Sequence, residues 1–151
     1  MPAERLRKYL DEEHVKYVTL KHSTAYTARE VAESAHLAAK KLAKTVMVNI
    51  DGEMAMVVVP ASNRVDVERL KEAAGASDVE LTPEWQFKDK FPDCEVGAMP
   101  PFGNLYEMKV FVSQALREDE EIAFNAGSHT ELFQLAYQDF ERLVEPIPIS
   151  V

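Results

Sequence analysis

The chain has 151 residues, 46% of them hydrophobic, which suits one globular domain with its own core, so a single domain over residues 1–151 is expected. No apolar run approaches a membrane span and the N-terminal stretch is amphipathic and charged, without a signal-peptide core, so no membrane partner and a soluble, cytoplasmic protein are expected. A net charge of −9 argues against broad electrostatic binding of DNA or RNA and leaves only local contacts, for which Lys40, Lys41, Lys44, Arg64, Arg69 and Lys71 are either candidates or an ordinary solvated face.

Pro2 to about Glu13 places Leu6, Tyr9 and Leu10 at helical spacing, predicting a surface helix. Tyr17–Leu20 reads as a short strand. Thr27 and Glu30 have capping-box spacing, so a helix from Ala28 to about Ala35 follows.

Leu42 to Pro60 is the stretch around which the chain is organised. Two Val-, Ile- and Met-rich runs flank Asp51-Gly52, a dipeptide suited to a type I′ turn, which predicts a tight hairpin. A two-residue loop sets Ile50 opposite Glu53, Val48 opposite Ala55, Val46 opposite Val57 and Lys44 opposite Val59. Lys44 then shares a row with Val46, Val48 and Ile50, a row expected to be buried. An ammonium at the end of such a row either snorkels to water or meets an anion.

Asp66 can cap a helix through Leu70 to Ala74, closed by Gly75. Thr82-Pro83-Glu84 opens another, with Trp85, Phe87 and Phe91 as its aromatic content. Val96 to Gly103 holds two glycines and two prolines and reads as a shaped loop with little freedom. Met108–Val112 and Glu121–Asn125 are predicted strands separated by an acidic turn at Arg117–Glu120. Beyond Ala126 the pattern is ambiguous between a capped helix and a strand; a strand to about Ala136 and a helix over Gln138–Leu143 is the reading adopted. About six strands with interspersed helices suggest an α/β fold, one mixed sheet or barrel decorated by helices.

His14, His22, His36, His129 and Cys94 lack metal-ligand spacing, so no metal site is expected, and no nucleotide or nucleophile signature is present. No cofactor is expected either. Cys94 cannot form an internal disulfide, and its neighbours Asp93 and Glu95 disfavour a thiolate. Three features remain: Lys44, the loop Gly97–Gly103, and the turn Gly127-Ser128-His129. Glycine at Gly97 and Gly127 lets main-chain N–H groups approach a ligand closely or serves only the turn, and His129 is functional or simply a satisfied surface histidine.

A-K-T-V-M-V at Ala43–Val48, V-V-V-P-A at Val57–Ala61, C-E-V-G-A-M-P-P-F-G at Cys94–Gly103 and F-N-A-G-S-H at Phe124–His129 together resemble the YbaK/ProX family of aminoacyl-tRNA deacylases. These are relatives of the editing domain inserted in bacterial prolyl-tRNA synthetases. The resemblance runs from about His22 to the C-terminus. It implies a mixed, β-barrel-like α/β fold and hydrolysis of the ester joining a wrong amino acid to the terminal adenosine of tRNA, with tRNA for proline as the family default. By the same resemblance Lys44 holds the terminal phosphate without acting as a nucleophile. Backbone N–H groups near Gly97 and Gly127 orient the ester carbonyl, and His129 completes the catalytic set. Ala98, Met99 and Pro100 limit side-chain size, while His22, Thr27 and Ser128 complete the substrate site. A substrate ribose hydroxyl helps activate water. The implied partners are the acceptor end of an aminoacyl-tRNA and a synthetase. Ser113 stands where family members often carry Asp. The alternative is a non-catalytic tRNA- or synthetase-binding module of the same fold.

Overall fold

The computed structural model of the protein describes residues 4–21, 41–92, 94–95 and 98–150. The expected helix at Ala28–Ala35 and its cap Thr27 lie outside the described residues. Within them, eight strands form one mixed sheet, against the six expected. These are β1 (Tyr17–Lys21), β2 (Leu42–Ile50), β3 (Glu53–Pro60), β4 (Val79–Leu81), β5 (Lys109–Ser113), β6 (Glu121–Ser128), β7 (Glu131–Ala136) and β8 (Ile147–Ile149). The strand order is β1-β7-β6-β2-β3-β5-β8, with β4 added to β2. The β6–β2, β3–β5 and β5–β8 pairs are parallel and the others antiparallel. The sheet curls into a half-barrel carrying helices α1 (Glu4–Glu12), α2 (Val67–Ala74), α3 (Glu84–Phe87), α4 (Gln114–Arg117) and α5 (Tyr137–Val144). Among the described residues no helix is long and apolar enough to cross a membrane.

The central hairpin forms with the expected register, from Ile50 opposite Glu53 to Lys44 opposite Val59. Asp51 and Gly52 have φ of 49° and 87°, the positive values a type I′ turn requires. Asp51 does more than turn the chain. Its carboxylate accepts hydrogen bonds from the N–H groups of Ser77 and Asp78, tying the end of α2 and the start of β4 to the hairpin.

The hairpin is covered on both faces. Ala43, Met47, Met56 and Val58 face the main core, which also holds Leu6 and Leu10 of α1, Met99, Phe102, Phe124, Phe133 and Phe140. Val48, Ala55, Val57 and Val59 face a smaller cluster closed by Leu70 of α2 with Val79, Phe111 and Ile149. The row Lys44-Val46-Val48-Ile50 faces that smaller cluster, and only Val48 in it is fully buried. The expectation of a buried row therefore fails at three positions, because an eight-residue helix is too short to cover the whole strand.

Helix α2 carries both expected caps: the Asp66 side chain accepts from the N–H groups of Glu68 and Arg69, and Gly75 at φ 64° ends it. Before the acidic turn expected at Arg117–Glu120, residues 114–117 form a helical turn capped by Ser113, whose Oγ accepts from the N–H of Ala115 at 3.3 Å. Aspartate fills this capping role equally well. Strand β6 extends past Asn125 to Ser128 and turns at His129-Thr130 into β7, so the ambiguous stretch is a hairpin. The other two strands missed by periodicity, β4 and β8, have only three residues each.

Candidate functional site

Strand β2 runs past two different neighbours on one edge. Its start pairs with β6, Leu42 with Ala123 and Ala43 with Phe124, while its end pairs with β4 from Val48 onward. Between them, after the Met47 carbonyl that accepts from the N–H of Thr82, Lys44 to Val46 have no ladder partner on that edge among the described residues. The sheet forks there. Lys44 sits in the mouth of the fork, one residue past its last pair with β6.

The Lys44 side chain is half-buried, and among the described residues no carboxylate is paired with it. Burial pulls its pKa below the usual lysine value, and the guanidinium of Arg64 pushes it further the same way. Exposed Arg64 lies close enough to repel the Lys44 ammonium, no carboxylate among the described residues pairs with it, and exposed Lys41 lies three residues before it. Such an arrangement costs stability alone and is relieved by an anion.

On the far side of the fork, Glu95 and Ala98 are held against the end of β6. The N–H of Glu95 donates to the carbonyl of Gly127 at 2.7 Å, and the N–H of Gly127 donates to the carbonyl of Ala98 at 2.9 Å. This clasp corrects one expectation. The Gly127 N–H is occupied by Ala98, so it is not a donor for a ligand carbonyl in this conformation. What the position demands of glycine is its φ of 97°, at the irregularity where β6 carries extra residues between Asn125 and Ser128.

His129 is buried rather than at the surface, 7% exposed. Its N–H donates to Glu95 Oε2 at 3.3 Å, and its Nε2 lies 4.0 Å from the same oxygen. Ser128 is also buried, its Oγ 3.4 Å from Thr130 Oγ1. Ala98, Met99 and Pro100 are all buried, and Met99 packs into the main core, so this segment is a fixed wall. Gly97, His22 and Thr27 lie outside the described residues. Cys94 Sγ lies 3.7 Å from the Tyr106 hydroxyl. Among the described residues no cluster of His, Cys, Asp or Glu could hold a metal ion.

Two residues of this neighbourhood were not singled out from the sequence. Glu95 stood inside the quoted C-E-V-G motif but was weighed only as a neighbour of Cys94. Asn125 follows Phe124, the last β6 residue paired with β2, as Lys44 follows Ala43. Apolar Ile122, Phe124 and Ala126 alternate toward the core, which leaves Ala123 and Asn125 on the opposite face. That alternation was the available signal.

Residues 22–143 match the family model described as the aminoacyl-tRNA editing domain. The chain is 25% identical over 148 residues to the multifunctional Ser/Thr-tRNA deacylase ProXp-y of Escherichia coli (strain K12), covering 95% of this chain and 88% of that protein. It is 29% identical over 87 residues to a proline–tRNA ligase of Bacillus mycoides (strain KBAB4), 58% of this chain. It spans only 15% of the length of that ligase. The fold is shared with a crystal structure described as a candidate trans-editing enzyme for prolyl tRNA synthetase, at TM-score 0.82 and 19% identity, covering 98% of this chain and 94% of that one. The crystal structure of hypothetical protein APE2540 superposes at TM-score 0.87 and 18% identity, covering 98% and 99%.

Proposed function

Because the chain belongs to the aminoacyl-tRNA editing domain family, we propose that it is a trans-editing hydrolase that cleaves the ester of a mischarged aminoacyl-tRNA. The observation that carries this reading is Lys44: a half-buried ammonium beside Arg64, without an anion among the described residues, in the mouth of a fork in the sheet. An anionic group of the substrate relieves that repulsion. The terminal phosphate of a tRNA acceptor end is such a group, and Lys44 holds it by charge rather than by attack.

With the phosphate at Lys44, the ester lies toward the turn Gly127–His129, at most four residues along β6 from Asn125 and so within roughly 13 Å. His129, fixed through Glu95, and Ser128 supply the polar groups there. The closed loop Ala98–Pro100 limits the size of the side chain admitted. Water attacks the ester carbon, the tetrahedral oxyanion collapses, and the ribose oxygen leaves with a proton. The vicinal ribose hydroxyl assists the water, in line with the lack of a nucleophile signature in the sequence.

The editing relatives support tRNA for proline as the first substrate to test, and the Ser/Thr-tRNA deacylase widens the panel to serine and threonine esters. A proline–tRNA ligase that carries a similar segment makes a synthetase the natural partner for a free cytoplasmic editing protein. The test is deacylation of a panel of mischarged tRNAs by the purified chain. Turnover of at least one mischarged species, with correctly charged tRNA spared, supports the reading. A chain that binds acceptor stems but cleaves nothing on the panel is a binding module, and the hydrolase reading falls.

A further inference from the structure

The side-chain oxygen of Asn125 is buried without a hydrogen-bond partner among the described residues. A buried amide oxygen left unpaired is costly and rare, so its presence calls for a partner that arrives from outside the folded chain. Asn125 and Lys44 each lie one residue past the last β6–β2 pair, Phe124 with Ala43, and so on the same face of the sheet, one row beyond the paired Leu42 and Ala123. The residue as a whole is only half-buried, so part of it borders open space.

We propose that Asn125 is a substrate-positioning residue whose amide oxygen accepts a hydrogen bond from the α-ammonium of the aminoacyl group. This rests on the deacylase reading above and deepens it. The chemistry selects the donor. A cationic N–H gives the strongest bond to a carbonyl acceptor, and every aminoacyl ester carries one, whatever its side chain. Lys44 then anchors the anionic end of the substrate and Asn125 the cationic end. An acyl-tRNA without the amino group satisfies only the first.

The experiment uses the full chain and one tRNA acylated either with the amino acid that turns over fastest or with its deamino analogue. Each enzymatic kcat/KM is divided by the uncatalysed hydrolysis rate of the same ester. Wild type should favour the aminoacyl ester by about 10- to 100-fold, the range for a hydrogen bond to a charged group. Asn125→Leu, similar in size but without an acceptor, should lose that factor on the aminoacyl ester, mainly in KM, and leave the deamino ester unchanged. Asn125→Asp, which keeps an acceptor, should retain the preference. Asn125→Leu should also melt no lower than wild type, since it removes an unpaired polar atom. Lys44→Met, run in parallel, should slow both esters and keep the preference. A wild type without preference, or an Asn125→Leu variant that keeps it, overturns the assignment to Asn125 while leaving the deacylase reading standing. A wild type inactive on every ester removes both.

Discussion

Replacing Gly127 with alanine tests the clasp that closes the far side of the fork. Its φ of 97° lies well beyond the left-handed well near +57°, and holding a Cβ-bearing residue there costs about 1–3 kcal/mol. Relaxing that strain means moving the two hydrogen bonds that Gly127 makes with Glu95 and Ala98, each worth about 1 kcal/mol. The expected loss is therefore about 1–3 kcal/mol, whether strain is kept or the loop lets go. For a chain of this length that corresponds to a fall in melting temperature of roughly 3–12 °C. Thermal unfolding followed by circular dichroism reads this directly, and deacylation measured well below the transition reads the site. Both should fall, because Ala98, at the start of the buried wall Ala98–Pro100, shares the clasp. An alanine variant with unchanged melting temperature and activity would refute the clasp.

Other outcomes follow from named contacts. A Cβ at Gly103 would meet Val110 Cγ2 at 2.6 Å and the Met108 carbonyl at 2.8 Å, so Gly103→Ala should destabilise by about 1–3 kcal/mol in urea unfolding. The ammonium of Lys44 holds phosphate only while protonated, so phosphate binding is present below its folded pKa and lost as pH rises through it. Because burial and Arg64 lower that pKa from 10.5, the loss should begin at lower pH than for an ordinary lysine. Arg64→Ala should move the alkaline limb of adenosine-monophosphate binding upward; a limb that stays in place would remove Arg64 from the site. Cys94→Ser should keep wild-type deacylation, since the thiol contacts the Tyr106 hydroxyl and its acidic neighbours disfavour a thiolate, and a collapse in rate would reassign it.

What the sequence revealed and what it hid divides along physical lines. Asp51-Gly52 and the Asp66 and Gly75 caps are local chemistry, and the hairpin register and the ends of α2 follow from them alone. Burial of the Lys44 row depends on how far α2 reaches across β2, which no spacing within β2 records. Strands of three residues carry too little alternation to be seen, and the fork exists only because β4 and β6 share one edge of β2. The Gly127 N–H was legible as a possible donor but not as one already taken, since its partner Ala98 lies far away in sequence. Asn125 was within reach through the alternation of its strand, and was passed over because the glycine and histidine beside it drew the argument.

The central claim is that Lys44 serves the substrate rather than the fold, and Lys44→Met tests it most directly. Methionine keeps the packed stem and removes the charge, which burial and Arg64 make unfavourable in the free protein. Single-turnover deacylation of the best mischarged tRNA should fall by about 10- to 100-fold, the scale of one charge-assisted contact, while the melting temperature holds or rises. A variant that cleaves at the wild-type rate, or one that loses activity only because it unfolds, would contradict the account.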